Sequence, residues 1–148
     1  MNSSSNPVLS MLKADHKKVK ALLEEYKEAS PRKQENIART TIQELEIHAE
    51  LEEELIYPAI REGIEDDTLM NEATEEHHLV HVLIAELKEL EPSENSFLAK
   101  FTVLGELVKH HVKEEEGEMF PEALKAKIDW GALKTKVMER KEQLMAHA

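Results

Sequence analysis

The sequence predicts an all-α protein, an antiparallel up-down four-helix bundle with a short additional C-terminal helix. Apolar residues recur at helical steps of three and four along four long segments, and no segment alternates with period two over a useful length. The 5 Pro and 4 Gly residues are too few for a turn-rich β-fold, and they divide the 148-residue chain into long segments with short connections. Short connections favour neighbouring helices that run antiparallel in a bundle.

The helix boundaries follow from Pro, Gly and capping residues. Asn6-Pro7 has the pattern of an N-cap followed by Pro at the first helical position, and Ser30-Pro31 repeats it. Asp129 is the expected N-cap of a fifth helix that ends near Met145. The remaining boundaries fall at Gly63, Glu91-Pro92-Ser93 and Pro121. We therefore expect one domain over residues 1–148, with the bundle over about 7–121 and the C-terminal helix over about 129–145.

Polar residues occupy core positions of the apolar stripes, where a bundle normally carries Leu, Ile and Val. They are His16, His48, Glu52, His77, His81, His111 and Glu115. Burying an unpaired carboxylate costs several kcal/mol, whereas a whole domain is stable by only about 5–15 kcal/mol. The seven side chains therefore need a common partner, and a metal centre would satisfy all of them.

An internal repeat relates the two halves of the chain. His48 to Glu53 followed by Tyr57-Pro58 matches His111 to Glu116 followed by Phe120-Pro121, at an offset of 63 residues. A weaker match at an offset of 61 residues pairs Asp15-His16 with Glu76-His77. The repeat predicts two helical hairpins related by a pseudo-two-fold axis, each contributing ligands to the middle of the bundle.

The donor types narrow the choice of metal. Imidazole and carboxylate ligands without sulfur suit iron, manganese or zinc, and with 0 Cys in the chain thiolate sites are excluded. Seven ligands exceed the four of a single zinc site but suffice for two metals bridged by the two carboxylates. Two nearby cations would also keep two buried carboxylates ionised.

These motifs together resemble the hemerythrin-like family, the HHE cation-binding domains, over about Leu9 to Pro121. The resemblance rests on a single His in the first helix, His-x3-Glu-Glu-x3-aromatic-Pro in the second, His-x3-His in the third and His-x3-Glu in the fourth. It implies a centre of two iron ions bridged by an oxo or hydroxo group and by Glu52 and Glu115. One iron would take His77, His81 and His111. The other would take His16 and His48 and keep an open position, where family members bind dioxygen or a related small ligand.

The fourth helix leaves one alternative. Oxygen-carrying hemerythrins use His-x4-Asp there, a spacing that His110 and Glu115 keep. In a regular helix those two side chains point about 140° apart, so His110 would require a π-bulge, which Gly117 could accommodate. The internal repeat pairs His111 with His48, and we therefore predict His111 as the ligand.

The polar neighbours of these residues are expected to lie at the surface. Glu53, Glu54, Glu114 and Glu116 form a solvated acidic face in this interpretation, and His78 and His110 face solvent or lie behind the ligands. Asp15 and Glu76 are expected in caps or at the surface, with the holding of a neighbouring imidazole as the alternative. Tyr57 and Phe120 are expected to close the end of the bundle by packing, and Tyr57 alternatively places a phenol near the metals.

The function predicted from these features is a non-haem di-iron protein that binds or reacts with dioxygen or peroxide, by reversible binding or by catalase- or peroxidase-like detoxification. The alternative is non-enzymatic sensing or storage of dioxygen, nitric oxide or iron at the same centre. No separate catalytic residue is assigned. The net charge of -12 repels phosphate, so nucleic acid and anionic membranes are not expected as partners. With no signal peptide visible, we expect a cytoplasmic monomer or weak homodimer.

Overall fold

The structure, a computed structural model, describes residues 5–148. Every regular secondary-structure element in this range is a helix. Two π-helical turns, Glu52–Ile56 and Glu115–Met119, interrupt the α-helices and are called the first and second π turns. The α-helices are α1 (Pro7–Glu28), α2 (Pro31–Leu51), α3 (Tyr57–Gly63), α4 (Asp67–Lys88), α5 (Asn95–Glu114), α6 (Phe120–Lys125) and α7 (Trp130–Ala146).

Four rods build the bundle. α2, the first π turn and α3 form one continuous rod, because the residues at both junctions keep right-handed helical dihedrals. α5, the second π turn and α6 form another in the same way. α1 packs along α2, and α4 packs along α5, so the molecule consists of two helical hairpins. The predicted all-α bundle is confirmed, and among residues 5–148 no helix is both long enough and apolar enough to span a bilayer.

Side chains cap two of the three helix starts that the sequence predicts, whereas Ser30 precedes α2 without a side-chain capping hydrogen bond. The Asn6 side chain accepts hydrogen bonds from the amides of Val8 at 3.0 Å and Leu9 at 3.1 Å. Asp129 accepts from the amide of Ala132 at 3.0 Å, and this cap starts α7, the predicted fifth helix.

The predicted boundary at Pro121 is wrong, because the rod continues through it to Lys125. Pro121 is the second residue after the second π turn, whose last hydrogen bond runs from the Phe120 amide to the Glu115 carbonyl. A proline within a regular helix clashes with the carbonyl four residues earlier. The wider π turn relieves that clash, so the helix is not broken.

A polar layer separates two apolar cores. The core nearer the N-terminus contains Leu9, Leu12, Leu51 and Phe120 and is completed by Leu133 and Val137 of α7. The second core lies towards the other end of the bundle, and its buried residues include Val19, Leu23, Leu45, Ile84 and Leu104. The predicted polar residues other than His81 lie between the two cores, at the middle of all four rods.

Candidate metal centre

Four histidines and two glutamates meet in the polar layer, and all six side chains are buried. Their donor atoms form two groups, in each of which every donor lies within 4.8 Å of the others. The first donor group is His16, His48, Glu52 and Glu115, and the second is Glu52, His77, His111 and Glu115. Six of the seven residues predicted from the sequence are therefore brought together.

Both carboxylates belong to both donor groups. Glu52 Oε1 lies 3.2 Å from His48 Nε2 and 3.2 Å from His77 Nε2. Glu115 directs one oxygen to each side: Oε1 lies 3.3 Å from His16 Nε2, and Oε2 lies 2.9 Å from His111 Nε2. This arrangement would allow both carboxylates to contact a cation in either donor group.

The bonding within the layer fits a metal centre better than a hydrogen-bond network. Both oxygens of Glu52 and Oε1 of Glu115 are buried without a hydrogen-bond partner. Such buried polar atoms are costly unless a ligand or ion satisfies them. The Nε2 atoms of His16 and His48 lie only 3.2 Å apart, so at most one of them can carry a hydrogen between the two rings. Nitrogen lone pairs and unsatisfied carboxylate oxygens thus converge on a shared volume.

The outer nitrogen of each imidazole donates a hydrogen bond to a carboxylate. The Nδ1–H of His16 donates to Glu116 at 2.6 Å, and that of His48 donates to Asp15 at 3.1 Å. A hydrogen bond at Nδ1 fixes the tautomer that directs the Nε2 lone pair inward, as metal-binding histidines require.

The second half of the chain repeats this arrangement. His77 Nδ1–H donates to Glu53 at 2.8 Å, and His111 Nδ1–H donates to Glu76 at 2.8 Å. The carboxylate on His16 comes from the other hairpin, as does the one on His77, whereas Asp15 and Glu76 act within their own hairpins. The prediction that Glu53 and Glu116 belong only to a solvated acidic face was therefore wrong. Asp15 and Glu76 each accept a hydrogen bond from an imidazole, which was the alternative considered for them.

The first π turn brings Tyr57 into the second donor group. Its phenol donates to Glu115 Oε2 at 2.5 Å and lies 2.9 Å from His111 Nε2 and 3.2 Å from His77 Nε2. A regular α-helix would turn Tyr57 about 140° away from Glu52, but a π turn aligns residues five apart. The aromatic-Pro pair after the repeated motif was the available sequence signal. Tyr57 is buried, as a packing residue would be, and its phenol also lies among the donors, as in the alternative considered for it.

The ionisable side chains in the layer change one another's pKa values. Burial would raise the pKa of Glu115, yet the imidazoles of His111 and His16 hold that pKa well below its ordinary value. Burial would lower the pKa of His111, but Glu115 and Glu76 raise it to about 10. Burial and the neighbouring carboxylates raise the pKa of the Tyr57 phenol well above its usual range. Without metal, the raised pKa of His111 places a proton on its imidazole beside the ionised Glu115, and a bound cation would replace that proton.

His81, the seventh predicted ligand, and His110, the alternative to His111, both lie outside the layer. His81 is half exposed, and its Nε2 lies 2.7 Å from Glu53 Oε2, outside both donor groups. His110 is exposed and contacts Glu114 at 3.1 Å. The second π turn begins at Glu115, so the amide of Glu115 still bonds the His111 carbonyl and the α-helical spacing from His111 is retained. That His81 and His111 ligate a metal stays a prediction.

A small cavity of about 40 Å³ adjoins the donor atoms on the side facing the second core. The four buried histidines and Glu52 line one wall of it. The rest of its lining consists of Asp15 and of the aliphatic residues Val19, Leu45, Ala49, Val80, Val108 and Val112. The cavity can hold a molecule of very few atoms and offers it little polar contact away from the donors.

The model of one protein family, the hemerythrin HHE cation binding domain, matches residues 8–123. The chain belongs to this family. The match covers both hairpins and every residue of the two donor groups. The buried His and Glu side chains of this HHE domain are thus arranged as expected of a cation-binding protein.

Two relatives place this HHE domain among known proteins. The crystal structure of a hemerythrin HHE cation binding domain-containing protein from Mycobacterium kansasii superposes with a TM-score of 0.78 at 26% identity, over 93% of this chain and 86% of that one. A protein named DNA nickase from Nostoc sp. is 31% identical over 112 residues, which is 74% of this chain. The chain spans only 31% of the length of that relative.

Proposed function

We propose that the buried layer holds two iron ions and that this di-iron centre binds or reacts with dioxygen or peroxide. The observation that carries the proposal is the pair of donor groups that share Glu52 and Glu115, since one ion would leave the histidines of the other group without a partner. Histidine nitrogen and carboxylate oxygen suit iron, and the centre contains no sulfur donor.

The six buried residues would hold the ions in two unequal positions. His16 and His48 would bind one iron, and His77 and His111 would bind the other, with Glu52 and Glu115 reaching both. Tyr57 Oη stands among the donors of the second position. Phe120, the repeat partner of Tyr57, lies beside His16 and has no donor atom. The ion at His16 and His48 would therefore have fewer protein ligands and a place for a small ligand.

The aliphatic cavity supports a ligand of the size of dioxygen, peroxide or nitric oxide. Its volume of about 40 Å³ is close to that of one or two water molecules. The valine and leucine side chains around it offer no hydrogen bonds, so water gains little by staying there. An iron pair supplies one-electron redox chemistry at each metal. Tyr57 holds the proton that its phenol donates to Glu115, at the edge of the same donor set.

An oxidoreductase of catalase or peroxidase type and a non-enzymatic dioxygen carrier both fit this arrangement. Neutral histidine ligands stabilise highly oxidised iron less than a carboxylate-rich site does, which favours reversible binding or peroxide disproportionation over oxygenation of substrates. The alternative is sensing or storage of dioxygen, nitric oxide or iron by the same centre. The activity named for the Nostoc relative is not proposed for this chain, which spans only 31% of it and, with a net charge of -12, repels phosphate.

The test is aerobic purification followed by metal analysis, an optical spectrum and addition of peroxide or, after reduction, dioxygen. We expect close to two irons per chain, near-ultraviolet charge-transfer absorption, and a spectral response to at least one of the two ligands. The His111→Ala variant should lose iron because a nitrogen ligand is removed. The His110→Ala variant is the matched control and should keep both irons in the centre.

Two outcomes would contradict the proposal. A protein that retains a single zinc and takes up no iron would show that the donor groups select another metal. If the protein holds two irons but its optical spectrum does not change on addition of dioxygen, peroxide or nitric oxide, no such ligand reaches the metals. Loss of iron in His110→Ala alone would instead assign the ligand role in α5 to His110.

A further inference from the structure

A separate group of possible metal ligands, distinct from the two donor groups of the buried layer, lies at the surface between α4 and α5. His110 Nε2 is 3.1 Å from Glu114 Oε1 and 3.5 Å from Glu76 Oε2. One nitrogen and two carboxylate oxygens thus lie within 4.8 Å of one another. None of the three residues belongs to either donor group of the buried layer.

The surroundings of this group are acidic. The pocket around it has a volume of about 470 Å³ and is lined also by Thr68, Asn71, Glu72 and Glu75. Four glutamates therefore face one another across the pocket, and none of the described residues lining it is Lys or Arg. Carboxylates gathered in this way repel one another unless a cation lies between them.

The internal repeat shows how the other hairpin neutralises the equivalent position. Asp15 is the repeat partner of Glu76, and each accepts a hydrogen bond from one buried imidazole. The second oxygen of Asp15 lies 3.5 Å from the ammonium group of Lys141 on α7. The second oxygen of Glu76 has no such ammonium beside it and instead faces His110.

Comparison of the two hairpins also explains why His110 and Glu114 are polar, whereas the equivalent residues of the first hairpin are apolar. The repeat partners of His110 and Glu114 are Ile47 and Leu51, which pack in the core that α7 completes. No described helix covers the second hairpin at this place, so its face is open to solvent and needs polar residues. Solubility alone would be served by lysines as well, yet the positions carry one histidine among carboxylates.

We propose that Glu76, His110 and Glu114 form a separate binding site for a divalent cation, which takes the place that Lys141 occupies at Asp15. One imidazole and two or more carboxylates suit Zn²⁺, Fe²⁺ or Mn²⁺. Such an ion would bridge α4 and α5 at the surface. It would bind the same Glu76 side chain that orients His111, and is therefore one carboxylate away from the buried layer.

The test measures how much zinc the purified protein binds when the metal content of its buried layer is left as it was on purification. Equilibrium dialysis against Zn²⁺, with zinc and iron counted per chain, is carried out on the wild type, His110→Ala, Glu114→Gln and His78→Ala. His78→Ala is the matched control, because His78 is also an exposed histidine next to a buried one. We expect one zinc per chain beyond the metal already present in the wild type and the control. Either pocket variant should raise the zinc dissociation constant at least about tenfold, with its iron content unchanged.

The readout is the zinc that depends on His110, and it is therefore independent of whether the buried layer holds iron. If the centre is empty, zinc would fill it in all four proteins, and only the additional ion should disappear with His110→Ala. The proposal is overturned if the wild type binds no additional zinc, or if both pocket variants bind it as the control does. It is also overturned if each zinc bound displaces an iron, since that zinc would lie in the centre.

Discussion

Each buried imidazole of the centre depends on one carboxylate that lies outside the donor groups. Asp15, Glu53, Glu76 and Glu116 accept the four Nδ1–H hydrogen bonds at 2.6–3.1 Å. These bonds fix the direction of the Nε2 lone pairs before any metal arrives, which lowers the cost of assembling the site.

Glu116 gives the cleanest test of this role, because Glu118 on the same π turn is exposed and provides a matched control. Glu116→Ala removes the acceptor of His16, and we expect the affinity for iron to fall by about 10–100-fold. Glu118→Ala should leave the affinity unchanged. Chelator competition on the two variants measures the difference. Equal affinities would show that the ring of His16 is held by packing alone.

Tyr57 distinguishes the two proposed metal positions, because its phenol lies beside only one of them. A phenolate bound to ferric iron absorbs in the visible region, so a ligating Tyr57 should contribute a visible band. Tyr57→Phe is expected to lose this band while retaining iron, since the histidine and glutamate donors remain. The control is Tyr26→Phe, which changes a buried tyrosine packed on Phe101 in the second core. A wild-type spectrum without any band sensitive to Tyr57→Phe would limit the phenol to its hydrogen bond with Glu115.

The π turns are the elements that determine which side chains face the centre. They occur at equivalent places in the two hairpins, and each is followed by an aromatic residue and then Pro. Gly117 lies in the second π turn, but its repeat partner in the first is Glu54, so glycine is not required for this geometry. Its dihedral φ is not positive, and a Cβ atom built there meets no atom within 4 Å.

Gly117→Ala is therefore expected to be stabilising. Alanine restricts the unfolded chain more than glycine does, and in a helix the difference is worth up to about 1 kcal/mol. We predict a rise in the free energy of unfolding of up to that size, measured by chemical denaturation, with iron content unchanged. Gly63→Ala offers the contrast, because a Cβ atom there would approach Ile128 to 2.9 Å and should destabilise the protein. A loss of stability in Gly117→Ala would show that the π turn needs a glycine.

At the scale of the whole molecule, the polar layer lies between two apolar cores and spans all four rods. Emptying the centre leaves four imidazoles and two carboxylates there, with the Glu52 oxygens lacking hydrogen-bond partners. The charge pairs that form in the absence of metal offset only part of this cost. Metal binding and folding are therefore linked.

The metal-free protein should melt well below the loaded one. A ligand at a thousandfold excess over its dissociation constant stabilises the native state by about 4 kcal/mol. For a chain of this size each kcal/mol shifts Tm by roughly 2–4 °C, so we expect a difference of at least about 8 °C. Differential scanning calorimetry before and after chelation and dialysis measures it. Matching melting temperatures would place the metals in a loose or exposed site.

The sequence by itself determined the helical class, the internal repeat and the convergence of six of the seven donors predicted from it. These follow from local causes: apolar period, capping residues, and the high cost of burying His and Glu without a partner. Spacings of four residues are enough to predict that His48 and Glu52, or His111 and Glu115, share a face.

Only the tertiary structure decided which further side chains reach the layer and which leave it. Tyr57 enters because a π turn changes the phase of the helix, which a period of 3.6 residues does not foresee. Glu53 and Glu116 reach histidines of the other hairpin, so their role depends on how the hairpins pack. His81 satisfies the same four-residue spacing from His77 but contacts Glu53 at the surface, because contact across the bundle, and not spacing within one helix, decides where its ring points.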